Sequence, residues 1–190
     1  MGTEPLREVR VGTLVDDVAA RTPAPGAGAV TGLVATLAGA LTEMVARFSD
    51  DQPAAERNEA LRHRVAPLAD EDGAAYERYL AAVRLPREDE TRAQRMVETL
   101  SAATDVPMRM AETAAEVAEH AARLAREGNP RLRGDAVAAA LVAAAAARSA
   151  AALVAINLAG REAFADDPRP GRAGALGAAA QAAADTAAAP

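Results

Sequence analysis

Four short stretches of this chain hold residue types that can do chemistry. The first is Pro23-Ala24-Pro25-Gly26-Ala27-Gly28-Ala29-Val30. Its glycines let backbone approach a ligand closely, and the helix that follows offers free N–H groups to anions or carbonyl oxygens. A tight interhelical turn would use the same residues. The second is Gly128-Asn129-Pro130-Arg131-Leu132-Arg133-Gly134-Asp135. Gly128 reads as the end of one helix and Asp135 as the cap of the next, although a carboxylate there could also move a proton or steady a cation. The third, Asp70-Glu71-Asp72-Gly73-Ala74-Ala75-Tyr76, is an acidic cluster of the kind that usually forms a solvated face. The fourth is Ile156-Asn157-Leu158, an amide at the end of an apolar run, where it needs hydrogen-bond partners or a ligand.

Composition removes several alternatives. There is no cysteine, which excludes disulfides and thiolate metal sites. His63 and His120 are two histidines beside charged residues and read as surface positions, so no metal site is expected. All 21 basic residues are arginine, so neither a Schiff-base lysine nor a lysine base is available. The net charge of −6 speaks against a nucleic-acid partner. No Ser-His-Asp set, phosphate-binding P-loop or dinucleotide fingerprint occurs. The charged start, Met1 to Arg10, lacks the apolar core of a secretory signal, which predicts a cytoplasmic protein. The long apolar run 136–159 is mostly alanine with Arg148 inside it, and reads as a buried helix rather than a membrane span.

The elements that must carry these stretches are all helical. Val11, Leu14, Val15 and Val18 recur at helical spacing and predict a first helix ending near Arg21. A second helix is expected over 29–48. A third stretch, 53–85, should kink or split at Pro67, and a fourth, 87–127, contains Pro107. A fifth runs over 135–159. Five helical stretches with short connections predict an all-α up-and-down bundle over residues 1–165. Residues 166–190 are rich in Ala, Gly and Pro and read as a partly mobile tail with little apolar bulk to dock.

Taken in order, these pieces resemble the cyclodeaminase/cyclohydrolase family of one-carbon folate enzymes. The resemblance runs through Val18-Ala19-Ala20-Arg21-Thr22-Pro23-Ala24-Pro25-Gly26, similar to the family's opening helix and Gly-rich loop. Asp72-Gly73-Ala74-Ala75-Tyr76, Arg84-Leu85-Pro86, Val106-Pro107, Gly128-Asn129-Pro130, Asp135 and Ile156-Asn157-Leu158 follow at similar spacing. The resemblance implies a reduced folate as substrate, no permanently bound cofactor, and either hydrolysis of methenyltetrahydrofolate or deamination of formiminotetrahydrofolate. It points to Asp135 as the proton-moving group, to Pro25, Gly26 and Gly28 as pocket wall, and to Asn129 and Asn157 as contacts to the pterin. Departures from the family pattern fall at Ala29, Gly134, Leu153, Ala155 and the segment Ser49-Asp50-Asp51-Gln52-Pro53, each lacking a polar or basic group expected there. They keep open a second function, a folate-binding or dimeric interaction module.

Geometry adds one expectation. Asp135 and Asn157 bracket one helix and lie roughly 33 Å apart at 1.5 Å per residue. If the stretch through Pro107 is one continuous helix, the Gly26 loop and Asn157 share one end of the bundle and Asp135 sits at the other. A site using both ends then needs a homodimer packed antiparallel, which the alanine-rich faces would allow.

Overall fold

The computed structural model describes residues 5–190, and residues 1–4, where the charged N-terminus begins, lie outside the described part. Seven α-helices occur among the described residues: α1 (Val11–Ala19), α2 (Ala27–Phe48), α3 (Gln52–Val65), α4 (Leu68–Val83), α5 (Arg92–Glu127), α6 (Arg133–Leu158) and α7 (Arg169–Ala188). Two 3-10 turns, Pro130–Leu132 and Glu162–Phe164, flank α6, and no strand is formed among these residues.

Two expectations about proline resolve in opposite ways. Pro67 splits the third stretch, so α3 ends at Val65 and α4 begins at Leu68. Pro107 lies inside α5, which runs unbroken for 36 residues. A proline removes one N–H from the helical ladder. Burial of Val106, Pro107 and Met108 against neighbouring helices accompanies the continuity of α5.

The helices alternate in direction. Positions Gly28, Gly32 and Gly39 of α2 lie against Asp72, Ala69 and Arg62, so α3 and α4 form one broken rod antiparallel to α2. A Cβ at Gly32 would come within 3.1 Å of the Ala69 backbone, which sets the close approach of α2 and α4. Ion pairs Arg109–Glu71, Arg64–Glu116 and Arg123–Asp51 step down the antiparallel α5. The central layer is α5 with α6. The latter buries Ala136, Ala139, Ala140, Ala143, Ala144, Ala146, Ala147, Ala150 and Ala151. Each methyl removes little apolar surface, about 0.8 kcal/mol per carbon, so stability here comes from close backbone approach. Buried Thr31, Thr42, Thr104 and Thr113 satisfy their hydroxyls on the carbonyl four residues earlier.

The C-terminal segment departs from expectation. It forms α7, which packs on α5 and α6 through Ala173, Gly177, Ala180, Ala184 and Ala187. Small residues replace bulk by letting the helices meet closely. Arg169 ties its start to Asp105, Asp167 and the Ser101 carbonyl. His120 also departs from expectation: it is half-buried, its Nδ1 has no partner among the described residues, and burial lowers its pKa.

Large apolar side chains remain outside. On α2, small residues (Gly28, Ala29, Gly32, Ala35, Ala38, Gly39) face inward, while Val30, Val34, Leu37, Leu41, Met44 and Phe48 follow a 4-3-4-3-4 spacing, of which Val34, Leu41 and Met44 are half-buried against the core and Val30, Leu37 and Phe48 are exposed. Leu37 is 68% exposed and Phe48 64%. Leu141, Val142 and Ile156 of the adjoining α6 are exposed as well. Helices α2 and α6 are long and apolar enough to cross a membrane by length and composition, and each is about half buried within this chain. Helix α1 carries Val11, Val15 and Val18 exposed and buries nothing.

Candidate functional site

One cleft of about 260 Å³ opens at the end of the bundle where α2 begins. Its walls are Pro23, Ala24 and Gly26–Gly28 of the loop and α2, Asp72, Gly73 and Tyr76 of α4, Ala103 of α5, and Leu153 and Asn157 of α6. The Ala24–Pro25 peptide is cis and carries the chain over Gly73. The first intrahelical bond of α2 runs from Val30 N–H to the Gly26 carbonyl, so the N–H groups of Ala27, Gly28 and Ala29 have no acceptor in the helix. They make this end a site for oxygen atoms carrying negative charge.

Asp72 is the chemically distinctive residue. The three acids at the start of α4 have three different fates. Asp70 accepts from the Leu6 N–H at 3.0 Å, and Glu71 pairs with Arg109 at 2.6 Å. Asp72 has neither kind of partner among the described residues, and partial burial raises its pKa above the ordinary carboxylate value. Its carboxyl lies against Gly28, where a Cβ would overlap it. A carboxyl with a raised pKa, facing free N–H groups and half withdrawn from water, suits proton transfer beside a cation.

The two loop glycines therefore differ. Gly28 is required by the approach of Asp72, whereas a Cβ at Gly26 would meet only the Pro23 carbonyl at 3.8 Å. Asn157 belongs to the cleft as expected, and its side-chain amide has no partner in the chain among the described residues.

Asp135 and Asn129 do not belong to it. Asn129 sits at the opposite end, where its N–H donates to Ser49 Oγ at 2.8 Å, its amide donates to the Phe48 carbonyl, and its Oδ1 accepts from the Arg131 N–H. It caps the 3-10 turn that precedes α6. Asp135 consequently lies in the first turn of α6 rather than at its cap, which is Leu132. The continuous α5 produces this separation, as the alternation of directions requires. Sequence reasoning assigned no role to Asp72 and Tyr76, which sat within an acidic cluster. Their four-residue spacing, on the helical face that also buries Ala75, was the available signal. Among the described residues no group of three or more His, Asp or Glu side chains could hold a metal ion.

Residues 10–169 match the formiminotransferase-cyclodeaminase family. The chain belongs to that family. It is 31% identical over 172 residues to a methenyltetrahydrofolate cyclohydrolase of Methylorubrum extorquens, covering 82% of this chain and 83% of that one. It is 33% identical over 147 residues to a formimidoyltransferase-cyclodeaminase of Sus scrofa, covering 70% of this chain and 26% of that much longer protein. The crystal structure of a formiminotetrahydrofolate cyclodeaminase from Thermotoga maritima superposes with a TM-score of 0.83 at 25% identity, over 96% of this chain and 95% of that one. The family match stops at residue 169, where α7 begins, but the structural match extends over nearly the whole chain.

Proposed function

We propose that this chain is an enzyme of one-carbon folate metabolism that hydrolyses methenyltetrahydrofolate or deaminates formiminotetrahydrofolate, with Asp72 moving the proton. The observation that carries this is the Asp72 carboxyl, unpartnered among the described residues, against Gly28 at the start of α2.

In the hydrolytic direction, the substrate's one-carbon bridge is a delocalised cation, which an Asp72 carboxylate stabilises across the cleft. Water adds to the bridging carbon, and its proton goes to Asp72. The developing oxygen faces the free N–H groups of α2. The carbon–N5 bond then breaks as the added hydroxyl releases its remaining proton to water and Asp72 returns the first proton to N5, which leaves the formyl group on N10. In deamination, N10 attacks the formimino carbon and gives up its proton, and the departing nitrogen takes that proton and a second one from the Asp72 carboxyl, leaving as ammonia and closing the methenyl bridge. Both sequences need a group that accepts and returns one proton near neutral pH, which favours a carboxyl held above its ordinary pKa. Tyr76 offers a ring face for the pterin, and Asn157 an amide for its polar edge.

The test follows the absorbance of methenyltetrahydrofolate with and without protein, and its appearance from formiminotetrahydrofolate. Catalysed loss or formation is the expected result. Binding of reduced folates without either reaction would leave a binding module. A ligand at 100 times its dissociation constant adds about 2.7 kcal/mol of stability, so an unchanged melting temperature with millimolar reduced folates would end the folate reading.

The same reading includes a homodimer. The uncharged outer face of α2 and α6, with large residues at coiled-coil spacing, supports a two-fold partner packed antiparallel. That packing carries the partner's first turn of α6, with its Asp135, toward the Gly26 end. Leu37→Glu, placing a charge at the centre of the face, is expected to give a monomer by light scattering in detergent-free buffer. A wild-type monomer at working concentration would remove the dimer from the proposal.

A further inference from the structure

One buried threonine is bonded differently from the others. Thr42, Thr104 and Thr113 each give their hydroxyl to the carbonyl four residues earlier and have no further side-chain partner among the described residues. Thr31 also donates to the carbonyl four residues earlier, that of Ala27, at 2.7 Å, and its oxygen lies 2.9 Å from Ser149 Oγ. A hydroxyl has one proton. That of Thr31 goes to Ala27, so Ser149 is the donor in the second bond. Among the described residues this is the one side-chain hydrogen bond that joins α2 to α6.

This chain of bonds ends in the cleft. The Ala27 carbonyl and the Gly28 N–H belong to one planar peptide, so a donor that holds the carbonyl also sets the direction of the N–H. The Gly28 N–H is one of the three without an acceptor in the helix, and the Asp72 carboxyl lies against this residue. In a chain of hydrogen bonds each member polarises the next, by about 10–30% per bond. Ser149 and Thr31 therefore make the Gly28 N–H a stronger donor as well as a better aimed one. Ser149 stands on the outer face of α6, seven residues from Val142 and seven from Ile156, both exposed. In the antiparallel dimer the partner covers that face, which keeps water from competing for the bond.

We propose that Thr31 and Ser149 are positioning residues for the hydrolytic reaction: the chain from Ser149 through Thr31 to the Ala27 carbonyl orients and polarises the Gly28 N–H toward the oxygen that develops on the one-carbon unit. The inference rests on the folate reading above. Neither hydroxyl lines the cleft, so both act through the Ala27–Gly28 peptide. A donor aimed at a developing charge acts mainly in the transition state. Loss of the chain should therefore lower kcat and leave KM, set by contacts to the bound pterin, nearly unchanged. A plain staple between two helices would change melting and leave kcat alone.

The test measures kcat and KM for methenyltetrahydrofolate in Thr31→Val, Thr31→Ser, Ser149→Ala and the variant carrying both Thr31→Val and Ser149→Ala, and follows the Gly28 amide by NMR in the free protein. Thr31→Val keeps the shape of the side chain and is expected to lower kcat about tenfold, less than the roughly 10²–10³ lost when such a donor is removed outright. Thr31→Ser should restore kcat. Ser149→Ala should lower it by a smaller factor, and by nothing further once Thr31→Val is present, because Ser149 acts only through Thr31. Both single variants should shift the Gly28 amide resonance and leave that of Gly39, farther along α2, in place. Wild-type kcat in Thr31→Val overturns the positioning role, as does an equal Ser149→Ala loss in both backgrounds or an unmoved Gly28 amide. A wild type that deaminates formiminotetrahydrofolate without hydrolysing the methenyl form lacks the developing oxygen, so the positioning role falls while the folate reading stands. Turnover of neither folate ends the folate reading and the role with it.

Discussion

The two ends of the bundle are built from similar residues and differ in how they are satisfied. At the far end, Ser49 Oγ donates to the Val45 carbonyl and accepts from the Asn129 N–H, and Asn129 uses both its amide nitrogen and its amide oxygen. Asp51 caps α3 through the Ala54 N–H and pairs with Arg123 at 2.7 Å. At the cleft end, the Asp72 carboxyl and the Asn157 amide have no partner among the described residues, and α2 begins at Gly26 with no side-chain cap. One end is a clasp between α2, α3, α5 and α6. The other has the same loop-and-carboxylate chemistry with its valences left open, and open valences in a cleft mark a binding site more clearly than residue type does.

The sharpest way to break this comparison is Asp72→Asn. Turnover is expected to fall by about 10²–10⁴, while the melting temperature at neutral pH stays level or rises, because a charge is no longer withdrawn from water. Retained turnover would move the proton-transfer role elsewhere. Next comes Gly28→Ala, where the new methyl must displace the Asp72 carboxyl. A shift of about 1 Å in a catalytic group costs about 10² in rate, so kcat should drop with modest loss of stability. Gly26→Ala, which has room for its methyl, serves as the matched control.

At the far end the effects should be on stability alone. Asp51→Ala removes a helix cap and is expected to cost about 1 kcal/mol with kcat unchanged. The pH dependence should carry opposite signs at the two ends. Hydrogen bonds from Arg123 and the Ala54 N–H hold Asp51 below its ordinary value, so its contribution is complete above pH 3.8 and is lost as pH falls through the lowered pKa. Burial holds Asp72 above 3.8. Between that value and the raised pKa the folded state binds more protons than the unfolded one, so stability falls as pH rises. The melting curve of Asp51→Ala should therefore lie below wild type above pH 3.8 and close on it as pH falls, whereas that of Asp72→Asn should match wild type at low pH and rise above it as pH climbs past 3.8.

The smallest expected effect is that of Asp135→Asn. In the antiparallel dimer it should lower turnover less than Asp72→Asn does, with no change in melting. Unchanged turnover would leave the partner's Asp135 outside the site.

The all-helical architecture was legible because apolar spacing and proline positions depend on local chain geometry. The Gly26 loop and Asn157 were legible for the same reason. Asp72 was not: nothing in Asp70-Glu71-Asp72 tells which acid will lack a partner, since Leu6 and Arg109, which satisfy the other two, are distant in sequence. Asp135 was read as a cap from its local pattern, yet the 3-10 turn at Pro130–Leu132 moved the helix start two residues earlier. Helix α7 was hidden because methyl groups carry almost no hydropathy signal, although at short range they pack as well as larger side chains.

That alanine interface has a further consequence. Methyl groups repeated along three helices form a nearly featureless rail, on which α7 could slide by one notch with little change in contact. Its register must be keyed elsewhere. Arg169 grips Ser101 and Asp105 at one end, Arg172 meets Glu112, Arg148 meets Gln181, and Arg133 holds the Ala187 and Ala189 carbonyls at the other. The arginines act as the teeth of a ratchet: the methyl surface supplies adhesion without position, and the charged contacts supply position with little adhesion of their own.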